Sequence, residues 1–237
     1  MSVLRNIAAA WQLLLTLPLP GDVRDAKPGA WLWLPGLIAG SAIAGMGWTV
    51  RWLPATAAAA LMLFTELLFT GGIHLDGWAD CWDGWGCRYC PEKRRAAIKD
   101  SRIGSLGAAA LAVLLLLKFS LYTNLAGAFV LIPAHMASRA VLTVAARLFP
   151  CGDGGLGAGF VKGIVPWHPW INLLAAAAVF YLTSGLAGII ALGAGLIGAL
   201  AWAWYFAPLA EGLSGDVLGG AEEIALVLAL LVMVVTA

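Results

Sequence analysis

Charge is what this chain has least of. Asp, Glu, Lys and Arg supply 11% of its 237 residues, against about 25% in a soluble globular domain. Hydrophobic residues reach 62% and mean hydropathy is +0.89. That is more apolar surface than one or two soluble domains of this length can hide. A formal net charge of +1 gives no basic field for nucleic acid. Cysteine is sparse, with only Cys81, Cys87, Cys90 and Cys151, and a membrane bundle needs no disulfide framework. Three of the four share one loop, and a cytoplasmic loop would keep them reduced. No small-residue cleavage pattern follows the first apolar run, which ends in Leu17-Pro18-Leu19-Pro20-Gly21. A retained interfacial helix therefore fits better than a removed signal peptide. There is no clear internal repeat and no low-complexity tract.

What is abundant is apolar runs long enough to span a bilayer, about 20 residues each. The spacing predicts an amphipathic interfacial helix over 3–17. Membrane helices follow over 31–52, 54–74, 105–123 and 126–148. The run 170–207 suits two helices with a turn near Ser184-Gly185, and a last helix covers 221–237. The fold expected is all-α, a polytopic integral membrane bundle of about seven spans in a single domain, 1–237. Polar segments at 75–104, 149–169 and 208–220 carry its motifs. Trp31, Trp33, Trp48 and Trp52 flank the first span, as an aromatic belt does.

Arg88, Lys93, Arg94, Arg95, Lys99 and Arg102 all lie between the second and third spans. The positive-inside tendency puts that segment in the cytoplasm. Counting spans outward places 149–169 and 208–220 on the same face, so the protein is expected to be multi-pass in the inner membrane with its active site facing the cytoplasm.

The densest chemistry lies in Gly71-Gly72-Ile73-His74-Leu75-Asp76-Gly77-Trp78-Ala79-Asp80-Cys81-Trp82-Asp83-Gly84. Asp76, Asp80 and Asp83 are spaced i, i+4, i+7, which stacks three carboxylates on one helical face. Such a stripe repels itself unless a cation sits among it. An all-oxygen donor set suits a hard divalent ion, and Mg²⁺ with a phosphate-bearing substrate is the common pairing. The bland alternative, ordinary interfacial charges, fits poorly because charges at a cytoplasmic edge are usually basic. Downstream, Lys99-Asp100-Ser101-Arg102-Ile103-Gly104 offers cations and a glycine turn at a helix start, which suits a diphosphate. Lys93, Arg94 and Arg95 read better as topology determinants than as ligands.

Other signals are weaker. The glycines around Gly152–Gly163 with Lys162 admit an anion or a plain linker equally. Asp216 and Glu223 share a helical face if the last helix begins early. Glu66, Lys118, His135 and Arg139 fall inside spans, where polar groups default to a functional or paired role. A buried Glu66–Arg139 pair and a direct substrate contact are equally open. Cys87-Arg88-Tyr89-Cys90 with Cys81 and His74 is a poor zinc pattern, since no second pair matches it. His74 reads better as a support for the aspartates or a phosphate contact.

These pieces together resemble the cobalamin synthase family, the adenosylcobinamide-GDP ribazoletransferases. The resemblance rests on Leu17-Pro18-Leu19-Pro20, on Thr70 through Gly84, and on Lys99-Asp100-Ser101-Arg102-Ile103-Gly104-Ser105-Leu106-Gly107. It continues through Ser138-Arg139-Ala140, Gly155-Leu156-Gly157 with Phe160, and Gly215-Asp216-Val217-Leu218-Gly219-Gly220, collinear over nearly the whole chain. It departs at Trp78 and in the cysteine-rich stretch 87–90. It implies an integral membrane enzyme of the last joining step of cobalamin assembly, with Mg²⁺ as cofactor. Adenosylcobinamide-GDP and α-ribazole, or its 5′-phosphate, would give adenosylcobalamin, or its phosphate, and GMP. On this view Asp76, Asp80 and Asp83 hold the metal, and one of them or Asp100 takes the attacking proton. Arg102 and Lys99 neutralise GMP, while His74, Arg139, Lys162 and Asp216 contact substrate, Asp216 with a second metal as its other reading. No side chain is a convincing covalent nucleophile, so direct displacement is expected. The partners are these two substrates and the lipid bilayer, with no nucleic acid. A homo-oligomer or a complex with other cobalamin-assembly enzymes stays open. Two rivals are a CDP-alcohol phosphotransferase of lipid synthesis, whose motif carries an arginine where Asp80 stands, and a membrane transporter with its charges at mid-membrane.

Overall fold

In the computed structural model the described residues are 3–20, 23, 26–99, 102–152 and 155–237, less the side chains of Arg95, Lys99 and 155–158. Ten α-helices follow one another: α1 Val3–Leu14, α2 Trp33–Thr49, α3 Ala55–Thr70, α4 Ile73–Gly86, α5 Pro91–Lys99, α6 Ser105–Asn124, α7 Leu131–Leu148, α8 Gly155–Lys162, α9 His168–Phe206 and α10 Gly215–Val235. Among the described residues the only β pairing is a single bridge between Cys151 and Leu213. The all-α class expected from the sequence is what forms, because long Ala- and Leu-rich runs satisfy every backbone group internally.

Among the described residues five helices are long and apolar enough to cross a bilayer, or six if the bent pair α3–α4 counts as one span. The protein is thus a multi-pass membrane protein. Its outer wall is what lipid requires: Phe64 and Leu68 on α3, Val113 and Leu116 on α6, and Leu182 and Ile197 on α9 are exposed. α9 runs for 39 residues, about 58 Å at 1.5 Å per residue, nearly twice a bilayer's hydrocarbon core of about 30 Å. It does not run straight. Gly185 takes φ 58, ψ −137 inside it, and a Cβ on Gly188 would sit 2.5 Å from the Phe180 carbonyl oxygen. Residues eight apart meet only if the chain doubles back, so the turn expected near Ser184-Gly185 is a helical hairpin.

Small residues set the closest crossings. On α2, Gly36 and Gly40 form one i, i+4 stripe; a Cβ at either would lie 2.5 Å from His135 O or 2.7 Å from Ile132 Cα on α7. Backbones meet this closely in membranes because dispersion and weak polar contacts, not hydrophobic exclusion, drive helices together.

The second predicted span breaks where a single helix over 54–74 was expected. Gly71 and Gly72 are consecutive left-handed residues, φ 65 and φ 70, a pair only glycine adopts without strain. Gly71 ends α3 with its N–H on Leu67 O, and α4 leaves at 91°. We read α4 as lying across the end of the bundle, outside the spanning segments. Within the polar segment 75–104, α4 and α5 form. Within 149–169, α8 forms. The last helix starts at Gly215 rather than 221, capped by Ser214, whose hydroxyl accepts the Val217 N–H at 3.3 Å.

Candidate active site

α4 carries two stripes. Asp76, Asp80 and Asp83 occupy one face, as their spacing predicted. Trp78, Trp82 and Trp85, offset by two residues, occupy the opposite face and bury it. Trp78 stacks on Trp202 of α9 at 4.6 Å between centroids, Trp202 stacks on Phe206 at 4.1 Å, and Trp82 meets both edge-on. Trp85 Nε1–H donates to Tyr205 OH at 2.7 Å. Aromatic burial on this scale fixes the roll of α4 and turns its carboxylates outward.

The first turn of α10 comes up against that carboxylate face. A Cβ on Gly77 would sit 2.7 Å from Asp216 O, and one on Gly219 would sit 3.2 Å from His74 Cα. Glycine on both helices lets them cross closely, which brings Asp216 from 140 residues away toward Asp76 and Asp80. Beside the aspartates lies an open cleft of about 610 Å³ lined by Asp76 and Asp80, by Arg102, and by the Gly71-Gly72 bend. Burial first, then the charges of Asp76, Asp216 and Asp83, push the Asp80 carboxyl up to about 7. Strongly shifted acids in clefts mark functional sites more often than chance. The cleft's charged donors are carboxylate oxygens, a hard set that fits a divalent cation of the Mg²⁺ type.

Asp83 does not reach this cleft. Its two oxygens accept the Gly104 and Gly107 N–H groups, each at 2.7 Å, at the start of α6. Asp100 lies outside the described residues, as does the Lys99 side chain. Lys162 is exposed on α8 and does not line the cleft.

Behind α4 the bundle encloses a charged network. Lys118 Nζ donates to Glu66 Oε1 at 2.6 Å and to Glu223 Oε2 at 2.7 Å. Tyr122 OH donates to Glu66 Oε2 at 2.7 Å. Arg139 Nη1 pairs with Glu222 Oε1, which also accepts the Ser138 hydroxyl. His74 Nδ1 lies 3.1 Å from Glu222 Oε2. All of these side chains are buried. Of the two readings left open for Glu66 and Arg139, the pair with each other does not form: Glu66 faces Lys118, and Arg139 faces Glu222. Arg139 is therefore committed to the bundle interior and is not on the cleft wall. His74 serves as a strut between α4 and α10. The donors of His74, Glu222 and Glu223 lie within 4.8 Å of one another, but Arg139 and Lys118 already neutralise that set.

Glu222 and Glu223 were the residues sequence reading undervalued. Starting the last helix at 221 put them at a rim. Their signal was two adjacent acids opening a long apolar run, which inside a span calls for buried cations.

A family model described as cobalamin-5-phosphate synthase matches residues 6–234. The adenosylcobinamide-GDP ribazoletransferase of Ralstonia pickettii (strain 12J) is 32% identical over 237 residues, covering 90% of this chain and 91% of that protein. The protein of that name from Chlorobium phaeobacteroides (strain BS1) is 32% identical over 234 residues, 93% of each chain. That from Roseiflexus sp. (strain RS-1) is 32% identical over 245 residues, 98% of this chain and 90% of that one. No solved structure matches.

Proposed function

Because this chain belongs to the cobalamin-5-phosphate synthase family, we infer that it catalyses the final joining step of cobalamin synthesis, as an adenosylcobinamide-GDP ribazoletransferase. The observation that carries the mechanistic reading is the cleft itself: Asp76, Asp80 and Arg102 converge on one open volume of about 610 Å³. Carboxylates and a guanidinium lining one such volume suit a diphosphate, which needs a cation on its oxygens and a counter-charge on its leaving group.

Asp76 and Asp80 would hold Mg²⁺; Asp216 does not line the cleft, but it lies at the crossing near enough to raise the Asp80 carboxyl and would be a further ligand or a ribose contact. Bound there, the ion would withdraw charge from the diphosphate oxygens. The chain's own residues do the rest. The cleft admits adenosylcobinamide-GDP so that its diphosphate lies between α4 and Arg102. A ribose hydroxyl of α-ribazole, or of its 5′-phosphate, attacks the phosphorus attached to cobinamide. A new O–P bond forms, the bond to GMP breaks, and the hydroxyl proton passes to a cleft carboxylate. Arg102 neutralises charge on the departing GMP. The basic residues of the 88–102 segment favour a cytoplasmic orientation for this end, in an inner membrane. A transporter would need its mid-bundle charges free to line a path, and here Glu66, Lys118, Arg139 and Glu222 are engaged with one another.

The test is GMP release from adenosylcobinamide-GDP and α-ribazole by purified protein. Turnover should require Mg²⁺, stop with chelator and return on repletion. Asp80→Asn should abolish it while the protein still inserts; wild-type turnover in that variant would remove Asp80 from the mechanism.

A further inference from the structure

We propose that Asp83 is a positioning residue: its carboxylate clamps the first turn of α6 and thereby holds Arg102 over the cleft, leaving the cation to Asp76 and Asp80. This rests on the reading of the cleft as a diphosphate site. Helix starts leave amide N–H groups unsatisfied, and a local Ser, Thr, Asp or Asn usually supplies the acceptor. At α6 the N-cap is Gly104, with φ −84, ψ 171 and no side chain to offer. The acceptor comes instead from α4. Asp83 Oδ2 takes the N–H of Gly104 and Oδ1 takes that of Gly107, each at 2.7 Å, so one carboxylate bridges the N-cap and third positions of the helix. Both bonds are charge-assisted and sit at the positive end of a 20-residue helix, where a carboxylate is most favoured.

The fit is tight enough to dictate sequence. A Cβ at either Gly104 or Gly107 would collide with this carboxylate, so glycine stands at both. With both oxygens engaged and no exposure to the cleft, Asp83 is placed unlike its neighbours on the same stripe. Arg102, on the cleft wall, lies two residues before the clamped Gly104. The clamp therefore fixes where the guanidinium enters, because Arg102 and Ile103 lead straight into Gly104 with no helical hydrogen bonds of their own.

The experiment uses the full-length protein in lipid nanodiscs, with Mn²⁺ as the spectroscopic stand-in for the divalent ion. Four variants are compared with wild type: Asp83→Asn, Asp80→Asn, Arg102→Ala and the Asp83→Asn/Arg102→Ala pair. An asparagine offers one acceptor oxygen and an amide donor where two acceptors are needed. Asp83→Asn should speed hydrogen exchange of the 104–108 amides. It should raise KM for adenosylcobinamide-GDP roughly tenfold, and leave Mn²⁺ affinity within about twofold of wild type. In the Arg102→Ala background the same substitution should add little, because coupled residues act as a unit. Loss of Mn²⁺ affinity in Asp83→Asn comparable to that in Asp80→Asn overturns the proposal, as do KM effects that simply multiply. If Asp80→Asn itself keeps wild-type Mn²⁺ affinity, the metal reading of the cleft fails, while the coupling of Asp83 to Arg102 still decides the clamp. Should Asp83→Asn not fold, Gly104→Ala replaces it, with every carboxylate retained and the same rise in KM expected at unchanged Mn²⁺ affinity.

Discussion

Cation binding at the cleft should release a proton, and Asp80 should be its source. The perturbation is pH alone, between 6 and 8. With the Asp80 carboxyl pushed up to about 7 by burial and by Asp76, Asp216 and Asp83, roughly 9% of it is ionised at pH 6, about half at pH 7 and roughly 91% at pH 8. A metal ligand must be deprotonated. Apparent affinity for a divalent ion should therefore rise about tenfold from pH 6 to pH 8 and flatten above. The sign for folding is the reverse in the metal-free protein. A carboxyl whose folded pKa lies above its ordinary 3.8 stabilises the fold while protonated, so metal-free stability falls as pH climbs from about 4 to about 7. Bound cation should remove that fall. Titration calorimetry with Mg²⁺ in two buffers of different ionisation enthalpy counts the protons directly, and about half a proton per ion is expected at pH 7. Asp80→Asn should abolish both the release and the slope. An affinity indifferent to pH across this window, or an Asp80→Asn protein with the wild-type slope, would refute the reasoning.

Lys118→Met strips the cation from between the buried Glu66 and Glu223. Breaking a buried pair from one side costs about 3–5 kcal/mol, so the melting temperature in detergent should drop by roughly 6–20 °C. Adding Glu223→Gln should recover part of that loss, as read by tryptophan fluorescence on heating. Gly77→Ala drives a methyl to 2.7 Å from Asp216 O, which backbone cannot yield cheaply. A destabilisation of about 1–3 kcal/mol and a clear fall in kcat are expected. Gly45→Ala, with nothing within 4 Å of its Cβ, should change neither; equal effects from the two would remove the α4–α10 crossing from the account.

Where the sequence was legible, the reason was periodicity. The i, i+4, i+7 aspartates could share a face only on a helix, and α4 is that helix. Ser184-Gly185 divided a run too long for one span, and the chain reverses there. What could not be read was which helix each stripe would face. Gly71-Gly72 looked like part of a helix entering the motif, yet two left-handed residues in succession turn the chain by 91°. Asp83 carried the same chemical signal as Asp76 and Asp80, and only the arrival of α6 separated its contacts from theirs. Glu66 and Arg139 were both seen to need partners, but a sequence gives no distances between helices, and the partners proved to be Lys118 and Glu222.

The amino-acid sequence alone determined that this is an all-α membrane protein with an acidic, oxygen-rich motif at the edge of its spans. Those properties follow from composition and spacing, which need no knowledge of neighbours. Tertiary structure decided the rest. It brought Asp216 against Gly77, put Arg102 on the same cleft as Asp76, and closed three buried glutamates with Lys118 and Arg139. Such choices depend on how closely glycine-bearing helices can approach, and that is a property of packed backbones in three dimensions, not of any one segment.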